Sequence, residues 1–283
     1  MGWQELTTNL SFPEGPRWHM GRLWLSDFYT HRVLAVSMDG AVEEIVRVPG
    51  QPSGLGWTAA GELLVVSMTD RKLMRLDNGS LVEHADLSSV ATFHCNDMVV
   101  DRHGRAYVGN FGFNSHGGET ERPAKLARVE PDGSVFAEPA ELLFPNGTVI
   151  TDDGKTLIIG ETRGARLSAF DIDDQGRLSN YRLWADIAPN VPDGICLDAA
   201  GAIWSADPRN NEVIRVEEGG NVTARLSTGE EGAYACMLGG PERRTLFACV
   251  NSGSGPGAAE RRDGRIIYCE VEVPGAGWPG NEG

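Results

Sequence analysis

The chain has 283 residues, with 40 acidic side chains against 25 Lys and Arg and a formal net charge of −15. This acidity, and the lack of a basic stripe, argue against nucleic acid or an anionic membrane as a partner, because both recruit clustered Lys and Arg. No apolar run approaches the roughly 18 residues that would span a bilayer, and no Lys or Arg precedes an apolar stretch at the N-terminus, so we expect a cytoplasmic protein.

Short segments rich in Val, Ile, Leu and Trp follow one another along the chain, each after a glycine turn. With 36 Gly and 15 Pro, the composition is typical of strands and turns. No stretch of a dozen residues has apolar positions at the helical spacing i, i+3, i+4 and i+7. The predicted strands of this kind are residues 22–26, 62–66, 105–108, 156–159 and 202–205.

A second predicted strand follows each of these segments, and one residue recurs upstream of each glycine turn, where the chain leaves a loop. The second strands are residues 32–36, 72–76, 124–129, 166–170 and 212–216. The recurring residues are Glu14, Ser53, Asn96, Asn146, Asp193 and, with a weaker match, Ala235, at separations of 39, 43, 50, 47 and 42 residues.

A repeat in the forties with about four strands per unit is the signature of a β-propeller blade, and six units fill the chain. We therefore predict an all-β fold, with a single six-bladed β-propeller domain of four-stranded blades over residues 1–283. The alternative is a β-sandwich with fortuitous spacing. A sandwich, however, gives no reason for a polar residue to recur at one phase of the repeat.

Equivalent residues of successive blades lie on a ring around the central channel, so the recurring residues should approach one another. Glu14 and Asp193 would bring two carboxylates together, and Asn96 and Asn146 would add two amides. Two carboxylates in a partly desolvated channel repel each other unless a proton or a cation lies between them. All-oxygen ligation suits Ca²⁺, Mg²⁺ or Mn²⁺. The alternative is that the Asn-Gly and Asp-Gly pairs at 146–147 and 193–194 are turns and nothing more.

Five cysteines are an odd number, and they are widely spaced without a CxxC pair. Neither a disulfide framework nor a thiolate zinc site is indicated. We interpret most of them as small buried hydrophobic residues.

Four stretches resemble the SMP30, gluconolactonase and luciferin-regenerating-enzyme family of six-bladed propeller lactonases. They are residues 12–18, 95–97, 144–147 and 192–194, which read FPEGPRW, CND, FPNG and PDG. The resemblance implies one divalent metal ion in the channel, held by Glu14, Asn146 and Asp193, with Asp193 also the general base. It implies that Asn96 contacts the substrate or a metal-bound water. Ca²⁺ is the expected ion, and Mg²⁺, Mn²⁺, Zn²⁺ and Fe²⁺ also occur in the family.

The sequence departs from the family at one position. Many sugar lactonases have an Arg two residues before the second Asn, where it reaches the substrate's hydroxyls, and this chain has His94 there. An aldonolactone substrate is therefore in doubt, and His94 either contacts a lactone oxygen, shuttles a proton or is satisfied in the channel wall. The glycine-rich loop 110–118 predicts a lid or pocket wall that brings Phe111, Phe113 and Asn114 towards a less polar substrate.

These features predict a metal-dependent hydrolase that opens a lactone ring in a small-molecule substrate. The cation would polarise the ester carbonyl, and Asp193 would move the proton between the attacking water and the ring oxygen. The sequence has no GxSxG elbow that would support a covalent acyl-enzyme. Two alternatives stay open: a metal-binding or sugar-binding propeller without turnover, and a propeller with other chemistry, such as phosphotriester hydrolysis or a strictosidine-synthase-like condensation.

Overall fold

The structure is a computed structural model that describes residues 2–115 and 117–279. Its described helical segments are α1 (Ala258–Arg261) and two single 3₁₀ turns at Phe28–Thr30 and Thr162–Gly164, and none of them is long enough to cross a membrane. The described strands are β1 (Gln4–Leu10), β2 (Pro13–His19), β3 (Arg22–Asp27), β4 (Arg32–Val36), β5 (Val42–Arg47), β6 (Pro52–Trp57), β7 (Leu63–Ser67), β8 (Lys72–Asp77), β9 (Ser80–Asp86), β10 (Cys95–Val100), β11 (Ala106–Asn110), β12 (Ala127–Val129), β13 (Val135–Ala137), β14 (Pro145–Ile150), β15 (Thr156–Glu161), β16 (Arg166–Ile172), β17 (Leu178–Asp186), β18 (Ile195–Leu197), β19 (Ile203–Asp207), β20 (Glu212–Val216), β21 (Val222–Ser227), β22 (Gly232–Gly239), β23 (Thr245–Asn251) and β24 (Gly264–Glu270).

These strands form six antiparallel sheets of four strands each. Five sheets are made of consecutive strands, β2–β5, β6–β9, β10–β13, β14–β17 and β18–β21. The strand at one edge of each sheet contacts its counterpart in the next sheet, and β22 contacts β2, which closes the ring. The predicted six-bladed propeller is confirmed, and the β-sandwich alternative is wrong.

The sixth blade is built from both ends of the chain. Its order is β1-β24-β23-β22, so the N-terminal strand is the outer strand of a blade whose other three strands come last in the sequence. Gln4 lies opposite Tyr268, and Leu10 lies opposite Gly264. This pairing covers the outer edge of β24 and ties the first blade to the last.

The hydrophobic core lies between neighbouring blades. Trp18 of the first blade stacks on Phe247 of the sixth, with ring centroids 5.7 Å apart, in a cluster that also contains Leu25 and Val213. Because each sheet is covered on both faces by its neighbours, its middle strands are buried along their whole length, as in β7, where all five residues are buried.

Glycine allows the inner strands to approach each other closely. A Cβ at Gly147 would clash with the backbone nitrogen of Ile195 in the next blade, and a Cβ at Gly194 would lie 2.5 Å from that of Ala235. Gly147 lies inside β14, so the interpretation of Asn146-Gly147 as a turn alone is wrong. Its glycine serves inter-blade packing.

Candidate active site at one end of the channel

A β-bulge lies at the start of the inner strand in five of the described blades. There, two residues of the inner strand oppose a shorter stretch of the second strand, which re-aims the side chains at that point. The irregularities fall between Glu14 and Arg17, Pro52 and Leu55, Cys95 and Met98, Pro145 and Thr148, and Ala233 and Ala235. The bulges coincide with the recurring polar residues, which explains why those residues keep one phase along the chain.

The carboxylates of Glu14 and Asp193 are close enough for their charges to interact. Burial raises the pKa of Glu14 well above its ordinary value, and the charges of Asp193 and Asp97 raise it further. Burial also raises the pKa of Asp193, with Asn146 acting in the opposite sense and Asp97 and Asp207 adding to the rise. The site therefore concentrates negative charge that is poorly solvated.

One oxygen of this cluster has no partner. Asp193 Oδ1 is buried and accepts no hydrogen bond from the described residues. Burying a carboxylate oxygen in this way is unfavourable unless a ligand, a water or a cation satisfies it. The position is therefore suited to binding a positively charged or proton-donating group.

Hydrogen bonds fix the two amides of the ring. Asn146 donates from Nδ2 to Thr162 Oγ1 at 3.2 Å, and Thr162 Oγ1 donates to the carbonyl of Pro192 at 2.7 Å. This leaves the Asn146 amide oxygen as the atom available to a ligand. Asn96, which is 5% exposed, donates from Nδ2 to the Pro145 carbonyl at 3.4 Å. Both amides are thus held against the strand or loop of the next blade.

The sixth member of the ring is Tyr234, and the assignment of Ala235 to this position is wrong. Gly147 N donates to the Asp193 carbonyl at 3.1 Å, and Gly194 N donates to the Tyr234 carbonyl at 2.8 Å. By this backbone pairing Tyr234 is the equivalent of Asp193. The bulge between positions 233 and 235 shifts the phase by one residue, which the sequence spacing alone did not reveal.

Tyr234 also shares the electrostatic environment of the ring. Burial, followed by the charges of Asp193 and Glu14, raises the pKa of the Tyr234 hydroxyl to about 12. Its ring packs edge-to-face on Phe12, with centroids 4.7 Å apart. The tyrosine therefore stays a neutral hydrogen-bond donor near neutral pH.

Sequence reasoning also missed Asp97. It follows Asn96 at a position where four other blades have glycine, namely Gly15, Gly54, Gly147 and Gly194. Arg17 donates to Asp97 Oδ1 at 2.5 Å, and both side chains are buried. The available signal was the single acidic residue within this glycine column.

An aromatic wall borders the ring on the side of the third and fourth blades. His94 is half-buried and stacks on Phe93 with centroids 4.0 Å apart, and its ring lies 6.4 Å from that of Phe111. Phe111 in turn stacks on Phe144 at 4.7 Å. Burial, and then the charge of Arg71, lower the pKa of His94, so its imidazole is neutral near pH 7.

The remaining predicted residues lie in the loop after β11. Phe113 is 3% exposed, so it packs beneath the wall. Asn114 Oδ1 accepts a hydrogen bond from Gly117 N at 2.7 Å, and Asn114 N donates to Glu119 Oε2 at 3.0 Å. The Asn114 amide oxygen thus shapes the loop, and its amide nitrogen is left for a substrate. His116 of the same loop lies outside the described residues.

The donor set fits a cation that prefers oxygen. Within the part of the chain that the structure describes, no three His, Cys, Asp or Glu side chains form a metal-binding group. A metal ion here would need an amide oxygen besides the two carboxylates. Glu14, Asn146 and Asp193 supply that combination, and the unpartnered oxygen of Asp193 is the observation that favours it.

Comparison with known proteins gives a consistent result over most of the chain. Residues 12–251 match the family model described as the SMP-30/gluconolactonase/LRE-like region. Pentonolactonase XacC of Haloferax volcanii is 26% identical over 261 residues, which cover 90% of this chain and 87% of that protein. Human regucalcin is 26% identical over 263 residues, covering 90% and 83%. A solved luciferin-regenerating enzyme superposes with a TM-score of 0.83 at 17% identity, covering 98% of each chain.

Proposed function

Because the chain belongs to the SMP-30/gluconolactonase/LRE-like family, we propose that it is a metal-dependent lactonase. The proposed reaction is hydrolysis of a small cyclic ester at the end of the channel where Glu14, Asn146 and Asp193 lie. The observation that supports it most is the buried, unpartnered Oδ1 of Asp193 beside a second carboxylate. The similarity to a pentonolactonase over 90% of the chain supports the substrate class.

Glu14, Asn146 and Asp193 would hold the cation, and Ca²⁺ suits them best because all their donor atoms are oxygens. Mg²⁺ or Mn²⁺ would meet the same chemical preference. When bound, a divalent ion polarises the ester carbonyl and stabilises the charge that develops on its oxygen. It would also relieve the repulsion that raises the pKa of Glu14 and Asp193.

Asp193 is the proposed general base. Its carboxylate takes a proton from water as the water oxygen forms a bond to the carbonyl carbon. When the ring carbon–oxygen bond breaks, the same proton passes to the departing ring oxygen, and the product is a hydroxy acid. Water is the only co-reactant, so atoms and charge balance.

Asn96 and the aromatic wall would hold the substrate. Asn96 stands in the ring with its amide nitrogen already bound to Pro145, so its carbonyl oxygen can accept a hydrogen bond from water or a substrate hydroxyl. His94, Phe111 and the amide nitrogen of Asn114 would contact the part of the lactone that points out of the channel. These contacts position the ester without taking part in proton transfer.

The test is hydrolysis of a lactone panel followed by pH-stat, with aldonolactones, alkyl lactones and aryl esters as substrates. We expect turnover that a chelator abolishes and added Ca²⁺ restores in the wild type. Ser53→Ala, at an uncharged position of the same ring, is the matched control and should behave as the wild type does. Turnover that persists after metal removal would contradict the proposal.

A metal-binding or sugar-binding propeller without turnover is the second candidate. It is favoured by His94, which replaces the arginine expected of a sugar lactonase, and by the similarity to human regucalcin. This candidate predicts stoichiometric metal binding and no hydrolysis of any lactone in the panel.

A further inference from the structure

A second cavity lies at the opposite end of the channel from the ring of polar residues. Its volume is about 460 Å³, within the range of small-molecule sites. It is lined by the last residues of β2, β6 and β10, including His19, Trp57 and Val100, whereas Glu14 and its equivalents come at the start of the same strands. Five residues of strand separate the two levels by roughly 16 Å. The cavity is therefore distinct from the proposed active site.

The C-terminal segment forms one wall of this cavity. Trp278 N donates to the Ile150 carbonyl and Ile150 N donates to the Trp278 carbonyl, each at 2.8 Å, and Ala276 N donates to the Leu197 carbonyl at 3.0 Å. Gly277 has φ +59°, and a Cβ there would clash with the carbonyl of Ile150. Trp278 is thus held in place by paired backbone and by a turn that requires glycine.

The other walls are aromatic and rigid. Trp57 stacks on His19 with ring centroids 3.8 Å apart and meets Trp24 edge-on at 5.6 Å. Trp18 and Trp278 line the same space. Three tryptophan side chains around a preformed cavity present flat apolar surfaces that favour a planar ring.

The uncompensated charge at the cavity is positive. Arg102 donates to the Asp153 carbonyl and lies over the Trp278 ring at 5.3 Å, and it makes no ion pair with a carboxylate of the described residues. The neighbouring Asp101 already accepts hydrogen bonds from its own turn and from Arg105, at 2.7 to 3.0 Å. An unpaired guanidinium beside tryptophan suits an anionic group on the ligand.

We propose that this cavity is a binding site for a planar aromatic carboxylate. The aromatic rings would stack on the tryptophan side chains, and the carboxylate would pair with Arg102. A sugar acid fits less well, because Thr58 and Asp101, two of the polar side chains in the lining, are already engaged by Glu62 and by the 101–105 turn. The hydroxyls of a sugar would then lose water without gaining partners.

The test is isothermal titration calorimetry of the full chain with 2-naphthoate, its neutral analogue 2-naphthylmethanol, and gluconate. We expect saturable binding of 2-naphthoate, weaker binding of the neutral analogue, and none of gluconate. Arg102→Gln should weaken 2-naphthoate binding about tenfold, since it removes one charge-assisted contact. Arg47→Gln, at an exposed arginine of β5, is the matched control and should change nothing.

Glu14→Gln distinguishes the two ends of the channel and should leave 2-naphthoate binding unchanged whether or not the lactonase proposal is correct. Loss of binding in this variant would assign the ligand to the other site and overturn the proposal. The absence of 2-naphthoate binding, equal affinity in Arg102→Gln and the wild type, or equal affinity for gluconate would overturn it as well.

Discussion

Arg17 donates to Asp97 Oδ1 at 2.5 Å inside the channel, and side-chain exposure is 3% for the arginine and 11% for the aspartate. The same guanidinium donates to the Leu55 carbonyl at 3.0 Å and to the Met98 carbonyl at 2.6 Å. One side chain from the first blade thereby contacts the inner strands of the second and third. This contact sits directly beside the carboxylates of the ring, since Arg17 lowers and Asp97 raises the pKa of Glu14.

Removal of Arg17 should be strongly destabilising. Arg17→Met leaves Asp97 buried without its cation, and we expect the free energy of unfolding to fall by about 3–5 kcal/mol. The double variant Arg17→Met/Asp97→Asn should lose less than the sum of the two single variants, because no unpaired charge remains. Urea unfolding of the four proteins measures this coupling, and strictly additive losses would contradict it.

Stability should fall in acid because of Glu161, which ends β15 and is fully buried. Burial alone would raise its pKa, but hydrogen bonds from Arg166, Leu143 N, Ser168 and Tyr181 together outweigh burial, and the pKa is lowered from 4.5. A lowered folded-state pKa means that the stabilisation is present above the unfolded value and is lost as the pH falls below about 4.5 through the folded value.

The comparison is between wild type and Glu161→Gln in urea unfolding from pH 7 to pH 3. Wild type should be the more stable at pH 7, and the difference should shrink as the pH falls. Glu242→Gln, whose carboxylate has an 84% exposed side chain, serves as the control and should show the wild-type pH dependence. A difference that is constant across the range would exclude this role for Glu161.

The repeat in the sequence predicted the second and third strands of five blades closely. For example, residues 32–36 and 212–216 are the bounds of β4 and β20. These strands were predictable because glycine turns and apolar runs are local signals. The closing strand β1 was not, since its partner β24 lies more than 250 residues away and nothing local encodes that pairing.

The ring shows the same division between local and non-local information. Five of its members keep one phase in the sequence, and the family resemblance supplied their roles. Tyr234 was missed because a bulge moves the phase by one residue, and a bulge is a property of strand pairing. Asp97 and Arg17 were missed because their contact joins blades that are 80 residues apart in the chain.

Metal binding should depend on both carboxylates of the ring. Glu14→Gln and Asp193→Asn keep the shape of each side chain but remove a charge, so both variants should bind less divalent metal and lose activity together. Metal content by elemental analysis after equilibration with Ca²⁺, beside lactone turnover, measures the effect. Ser53→Ala should retain both. Equal metal content in the wild type and the two carboxylate variants would refute the assignment.

Asp193 and Asn96 should separate chemistry from positioning. Asp193→Ala removes the proposed base and a metal donor, so hydrolysis should cease. Asn96→Ala should leave the metal bound and reduce kcat by about 10²-fold, because it disturbs only the orientation of water or substrate. Metal analysis and steady-state kinetics on both variants test this. Loss of metal in Asn96→Ala would instead place that residue among the ligands.

Substrate choice should depend on His94. A neutral imidazole offers one donor and one acceptor, whereas an arginine offers five fixed donors, so this pocket has less capacity to hold a polyhydroxylated ring. The ring of His94 instead continues the aromatic wall, with Phe93 at 4.0 Å and Phe111 at 6.4 Å. We therefore expect a higher kcat/KM for lactones with alkyl or aryl substituents than for gluconolactone or xylonolactone.

His94→Arg should shift the ratio of kcat/KM values towards the sugar lactones by about tenfold, in line with the gain of one or two hydrogen bonds to hydroxyls. His103→Arg introduces the same change at an exposed turn and should leave the ratio as it is in the wild type. A wild-type enzyme that strongly prefers gluconolactone would overturn this role of His94. It would leave the metal site intact, because Glu14, Asn146 and Asp193 are assigned on independent contacts.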